Sequence, residues 1–245
     1  MTLPLFIKAS DPYMQVMSQS FKHRPRRIAS YNIRKARGLD GRRDPGRVLD
    51  VLNGLDADVI ALQEADRRLG DRPAAVPRDM ISRHTDFEVV PLASNDVSLG
   101  FHGNAVLVRR GFGVAHHGQI TLPGAEPRGA VSVTLDDGLC VIGVHLGLLR
   151  RSRRRQLQAI AAQVSASENT VVIGDMNEWA ARRGFEALQD DFTLHSPGRS
   201  FHAARPIAAL DRVALGHGLN LADAGVDESA LARRASDHLP IWADV

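Results

Sequence analysis

Four short apolar runs in this chain each stop at a residue able to hold a metal ion or a phosphate. Ile28-Ala29-Ser30-Tyr31 ends at Asn32, Val59-Ile60-Ala61-Leu62 at Gln63-Glu64, Val141-Ile142-Gly143-Val144 at His145, and Val171-Val172-Ile173-Gly174 at Asp175-Met176-Asn177. Unbroken apolar runs of this length read as buried strands. Polar groups at their ends converge on one rim of a sheet, where a site has rigid supports. Near the end, Ser236-Asp237-His238-Leu239-Pro240 places two ionisable groups immediately before a last apolar segment, Ile241-Trp242.

Between these runs the pattern changes period. Pro45 to Leu52 opens with a proline suited to a first helical turn, and apolar residues at 48, 49, 51, 52 and 55 give one buried face. A second helix is expected from about Pro73 to His84, followed by a strand at Phe87 to Pro91. Residues 103–144 read as consecutive strands: Ala105 to Val108, Gly113 to Leu122, Ala130 to Leu135 and Leu139 to Val144, with Asp137-Gly138 as a hairpin turn between the last two. A helix from about Ser152 to Ser165, a short one near Arg182 to Leu188, and strands at Leu210 to Leu215 and Leu239 to Val245 complete the pattern. Each half runs strand, helix, strand with an acidic motif at the second strand's exit, which implies two facing sheets with helices outside.

Residues 1–27 lack periodicity and end in the basic stretch Lys22 to Arg27. They read as an N-terminal extension, either poorly ordered or serving as a docking or lid segment, ahead of a single domain over 28–245. At 245 residues and 44% hydrophobic content, the chain can bury a full core without a disulfide or structural metal. The single cysteine, Cys140, excludes an intramolecular disulfide and reads as an inert core residue. No apolar stretch approaches the roughly 20 residues that span a bilayer, and the N-terminus lacks a signal core, so a cytoplasmic protein is expected. The net charge of +3 is carried almost wholly by arginine, which suits planar recognition of phosphate oxygens.

The strand-end and tail motifs, with Asp211, supply carboxylates at Glu64, Asp175, Asp211 and Asp237, amides at Asn32 and Asn177, and imidazoles at His145 and His238. Hard oxygen donors with no cysteine suit Mg²⁺ or Mn²⁺ better than zinc.

In order, Ser30-Tyr31-Asn32, Leu62-Gln63-Glu64, Gly143-Val144-His145-Leu146, Gly174-Asp175-Met176-Asn177, Leu210-Asp211-Arg212-Val213 and Ser236-Asp237-His238-Leu239-Pro240 resemble the signature blocks of the endonuclease/exonuclease/phosphatase superfamily. Further blocks, including Pro127-Arg128-Gly129-Ala130 and Arg199-Ser200-Phe201, are similar to those of a bacterial branch of small stand-alone hydrolases. The resemblance implies an α/β fold, a four-layer α/β/β/α sandwich of two facing mixed sheets with outer helices. It also implies Glu64 as principal metal ligand, with Asn32 and Asp237 at the same ion. Asp175 is then the group that orients or deprotonates water, and Asp211 fixes the tautomer of His238. His238, His145 and Asn177 become donors to the phosphate, and Asn104 and Arg128 further substrate contacts. In an extended segment Asp175 and Asn177 would project to the same side. Abasic-site endonucleases carry a tyrosine where His145 falls, which turns the reading away from abasic DNA.

A Mg²⁺-dependent phosphoesterase follows, acting on a phosphodiester. Three readings of its partner stay open: nucleic acid, a phospholipid or small phosphodiester, or a non-catalytic phosphate-binding role, the last opposed by the intact set of site residues. The run Arg150 to Arg155 places five arginines at a helix start, against the helix dipole, so an external anion is expected to offset them.

Overall fold

The structure is a computed structural model that describes residues 24–164 and 169–245. Residues 1–23, most of the expected N-terminal extension, lie outside the described residues. The end of that segment is bound to the domain: Arg24 pairs with Asp58, Arg26 with Asp137, and Arg27 already belongs to the first strand, where it pairs with Asp244.

Twelve strands form two mixed six-stranded sheets among the described residues. The first contains β1 (Arg27–Asn32), β2 (Val59–Gln63), β3 (Phe87–Val89), β4 (Ala105–Arg109), β11 (Asp223–Val226) and β12 (Ile241–Asp244), in the order β11-β12-β1-β2-β4-β3. The second contains β5 (Val114–Thr121), β6 (Gly129–Leu135), β7 (Cys140–His145), β8 (Thr170–Asp175), β9 (Phe192–His195) and β10 (Asp211–Gly216), in the order β5-β6-β7-β8-β10-β9. The echo between the halves is real. Helix α1 (Pro45–Gly54) crosses between the parallel strands β1 and β2, and α3 (Arg150–Val164) between the parallel strands β7 and β8.

Side-chain alternation along the strands divides the core into layers. Ile28, Val59, Ala61, Val106, Val131, Val141, Val171 and Val213 meet between the sheets. The alternate residues Ala29, Tyr31, Ile60 and Leu62 pack under Val48, Leu49 and Leu52 of α1. On the far side, Ile142, Val144 and Val172 pack under Leu157 and Ile160 of α3. This is the α/β/β/α sandwich.

Several elements differ from the sequence pattern. The helix expected from Pro73 is confined to α2 (Arg78–His84), because the N–H groups of Ala74 and Ala75 bond instead to the Val97 and Ala65 carbonyls. The helix expected near Arg182 shrinks to a single 3₁₀ turn at Glu186–Leu188, preceded by Gly184 at φ 94°. The edge strands β9 and β11 and the short helix α4 (Ala232–Ala235) lack an apolar run long enough to announce them. Among the described residues, no helix is long and apolar enough to cross a membrane.

Candidate active site

Strand register brings the site together. His145 at the end of β7 is level with Asp175 at the end of β8, which is level with Asp211 at the start of β10. Gly174 sits at φ 151°, and a Cβ there would lie 2.0 Å from the Val144 carbonyl oxygen. Only glycine lets the chain pass that close to β7 and deliver Asp175 to the rim.

Asp175 is 1% exposed, and its Oδ2 is the point of convergence. Asn32 Nδ2 donates to it at 3.0 Å from the other sheet. His145 Nε2 lies 3.5 Å from the same oxygen and His238 Nε2 lies 3.7 Å from it. Its Oδ1 accepts the Asn177 backbone N–H at 3.0 Å. This is an Asx turn, and it corrects the expectation that Asp175 and Asn177 project together from an extended segment. Asn177 is left-handed at φ 52°, and its side-chain amide donates to the Leu146 carbonyl.

His238 is held from behind. Its Nδ1 donates to Asp211 Oδ2 at 2.8 Å, and the Ser200 hydroxyl donates to the same oxygen. Burial opposes charge on this ring, but the carboxylates of Asp211 and Asp175 outweigh it and raise its pKa to about 10. Donor atoms of Asp175, Asp211 and His238 all lie within 4.8 Å of one another. The Asp211–His238 hydrogen bond accounts for much of that closeness, since the Oδ2 and Nδ1 atoms are already paired.

His145 behaves oppositely. Arg128 donates to its Nδ1 at 2.9 Å while also gripping Glu126. Burial first, and then the Arg128 charge, outweigh the opposing pull of Asp175 and lower the His145 pKa to about 3. One imidazole is therefore neutral and the other favours its cationic form, across one carboxylate.

The residues expected to hold a metal come from the ends of β1 and β2 and from the segment before β12. Glu64 has φ 51°, and its carboxylate is bound by the Lys35 ammonium. Lys35 lies in a left-handed turn, Arg34 to Ala36, with φ values of 46°, 57° and 57°, and its N–H bonds to the Glu64 carbonyl. Asp237 Oδ2 pairs with Arg34 Nε at 3.2 Å, and Asn32 Oδ1 accepts the Arg34 N–H. The donor set fits a hard divalent ion: it is all oxygen, and each carboxylate already draws a cationic side chain.

Asn104 is fully buried, with Nδ2 bonded to the Gly129 carbonyl and Oδ1 left without a partner. Arg128, Glu64 and His145 line a cavity of about 340 Å³ that runs from the site along the loop after β2.

The arginine run is corrected. Glu178, just past Asn177, accepts hydrogen bonds from Arg150 and Arg153, so an internal carboxylate offsets these two arginines at the start of the helix. Burial alone would raise the Glu178 pKa; the two guanidinium groups outweigh it and hold it at about 2. Lys35, Ser200 and Glu178 were not among the residues expected at the site. Ser200 and Glu178 lie in or beside recognisable blocks, but their partners are distant in sequence. Lys35 follows Asn32 by three residues without any periodicity to mark it.

Two facing sheets thus carry a buried carboxylate–imidazole centre at their strand ends. The chain belongs to the Endonuclease/Exonuclease/phosphatase family, whose sequence profile matches residues 29–238. It is similar to YbhP of Escherichia coli K12, an uncharacterized protein, at 27% identity over 218 residues, covering 80% of this chain and 86% of YbhP. Among solved structures, the endonuclease/exonuclease/phosphatase from Beutenbergia cavernae superposes with a TM-score of 0.68 at 21% identity, covering 91% of this chain and 71% of that one. D. rerio TDP2 complexed with a single-strand DNA product gives 0.66 at 17% identity, covering 89% and 97%. These two structures share the fold.

Proposed function

We propose that the chain hydrolyses a phosphodiester with the help of a divalent ion, in the manner of a nuclease. The observation that carries this reading is Asp175 Oδ2, a buried anionic oxygen with Asn32, His145 and His238 gathered around it. Nitrogen donors that converge on one anionic oxygen are also suited to the oxygens of a phosphate.

Asp175 orients a water for in-line attack and takes its proton. His145 and His238 donate from Nε2 to phosphoryl oxygens that gain charge in the transition state. Asp211, backed by Ser200, keeps the His238 ring turned with Nε2 towards the site. Bound at Glu64, with Asn32 and Asp237 beside it, Mg²⁺ or Mn²⁺ would polarise a non-bridging oxygen and stabilise the leaving oxyanion.

A second reading, a phospholipid or small-molecule phosphodiesterase, has one observation in its favour. Leu69, Leu148, Leu149 and Trp179 are exposed, and all lie on loops leaving the site ends of β2, β7 and β8. The test is hydrolysis of plasmid DNA, single-stranded RNA, phospholipid vesicles and bis(p-nitrophenyl) phosphate, with Mg²⁺ and with chelator, by wild type and Asp175→Asn. Metal-dependent cleavage of nucleic acid that Asp175→Asn loses is expected. Turnover of lipid alone would establish the second reading, and no turnover of any of the four would sink both.

A further inference from the structure

The cavity lined by His145 contains a second arginine–histidine pair built like the first. Arg72 NH1 bonds to His102 Nδ1 at 3.0 Å, as Arg128 does to His145 Nδ1 at 2.9 Å. A guanidinium has only donors, so His102 Nδ1 accepts, and its Nε2 carries the ring hydrogen. Both pairs line the same cavity. Each sets a fixed cation beside an imidazole N–H donor, a combination suited to a phosphate group.

The charge balance of the cavity is uneven along its length. Its acids are occupied: Glu64 by Lys35, Glu126 by Arg128, and Asp66 by the backbone N–H groups of Leu99 and Gly100. Arg68 and Arg72 form no direct ion pair among the described residues, although the charge of Arg72 acts on the Asp66 carboxylate, and Arg72 Nε is buried without a hydrogen-bond partner. Arg72 is held left-handed at φ 54° and His102 at φ 50°, and the His102 ring packs edge-on against Phe101 with centroids 4.3 Å apart. Two non-glycine residues in that region need a surrounding structure that over-determines them. The pair is built and positioned, and nothing in the scheme above uses it.

We infer that Arg72 and His102, with Arg68 at the rim, form a second phosphate subsite, so that the substrate carries a phosphate group in addition to the scissile one. This rests on the phosphodiesterase reading for the identity of the first phosphate. The second phosphate is either a neighbouring diester in a nucleic-acid strand or the other half of a small bisphosphate.

The test is calorimetric binding to the full chain in chelator, with orthophosphate, pyrophosphate and thymidine 3′,5′-bisphosphate as probes. Wild type is expected to bind at least one two-phosphate probe about tenfold or more tighter than orthophosphate, and Arg72→Gln and His102→Gln each to abolish that preference. A preference for the nucleoside bisphosphate indicates the spacing of a strand, and one for pyrophosphate indicates a compact diphosphate. Equal binding of all three probes by wild type, or a preference retained in both variants, would overturn the subsite. Hydrolysis plays no part in this readout. A protein that shows the preference and yet cleaves no phosphoester would sink the catalytic reading and leave the subsite standing.

Discussion

Arg128 donates to Nδ1 of His145 at 2.9 Å, so the single ring hydrogen of His145 sits on Nε2, facing Asp175 Oδ2 at 3.5 Å. A donor-only guanidinium cannot share Nδ1 with a proton, so the bond sets the tautomer, and burial together with the Arg128 charge keeps the ring neutral.

The first prediction follows from that bond. In wild type, ¹⁵N resonances of His145 should report the neutral Nε2–H tautomer throughout the range from pH 5 upward, since the pKa lies at about 3. Arg128→Met removes the adjacent positive charge, so protonation becomes easier and the pKa rises, while Nδ1 loses its donor. Turnover should fall by about 10²-fold, the lower end of what losing one positioned transition-state hydrogen-bond donor costs. A His145 that titrates near 6.5 in wild type would contradict the arrangement.

Glu178 gives a stability prediction. It is 2% exposed and carries hydrogen bonds from Arg150 and the buried Arg153. Glu178→Gln leaves a buried guanidinium without its carboxylate and should destabilise the protein by about 3–5 kcal/mol at pH 7. The folded pKa, about 2, lies below the ordinary carboxylate value. The contribution is therefore complete above the unfolded pKa and is lost as pH falls from about 4.5 towards 2. Urea unfolding at pH 7, 4.5 and 3 should show the gap between wild type and variant closing as pH falls. A gap that widens on acidification would contradict the pairing.

Much of the architecture was legible because the apolar runs and the acidic residues coincide. Val171 to Gly174 followed by Asp175, and Val59 to Leu62 followed by Glu64, carry both the strand and its functional end in one stretch. The Asp137-Gly138 turn placed β6 beside β7 for the same local reason. What escaped depends on tertiary partners. Edge strands β9 and β11 are half-exposed and lack an apolar run. The residues before Pro77 looked helical, but Ala74 and Ala75 give their N–H groups to the distant carbonyls of Val97 and Ala65. The arginines of α3 read as a surface awaiting an anion, because Glu178 lies 25 residues beyond Arg153 and nothing local connects them. The left-handed Asn177 likewise needed the register of β8 against β7 to be seen.

Glycine substitutions separate the backbone requirement at the site from general tolerance. Gly174→Ala puts a Cβ 2.0 Å from the Val144 carbonyl oxygen at φ 151°, and should cost more than about 3 kcal/mol. Gly54→Ala, at the end of α1 with nothing within 4 Å of the new Cβ, should stabilise by about 0.4–1 kcal/mol. Urea midpoints of the two variants, measured side by side, should move in opposite directions. A well-folded Gly174→Ala protein would mean that the β7–β8 spacing at Asp175 is not as tight as the structure shows.

Lys35 and Glu64 give the last prediction. The ammonium bound to Glu64 occupies the carboxylate that the proposed divalent ion would use, so the two cations should compete. The pair is half-exposed, with each side chain 27% accessible, and is worth at most about 1 kcal/mol. Lys35→Met should therefore tighten Mn²⁺ binding by up to about fivefold, the factor that corresponds to that energy. Glu64→Gln removes a charged ligand and should weaken it by far more. Electron paramagnetic resonance titration of Mn²⁺ reads both without any substrate. If Glu64→Gln leaves the affinity unchanged while Asp175→Asn abolishes it, the ion is held at the Asp175, Asp211 and His238 cluster, and the ligand set drawn from β1 and β2 is wrong.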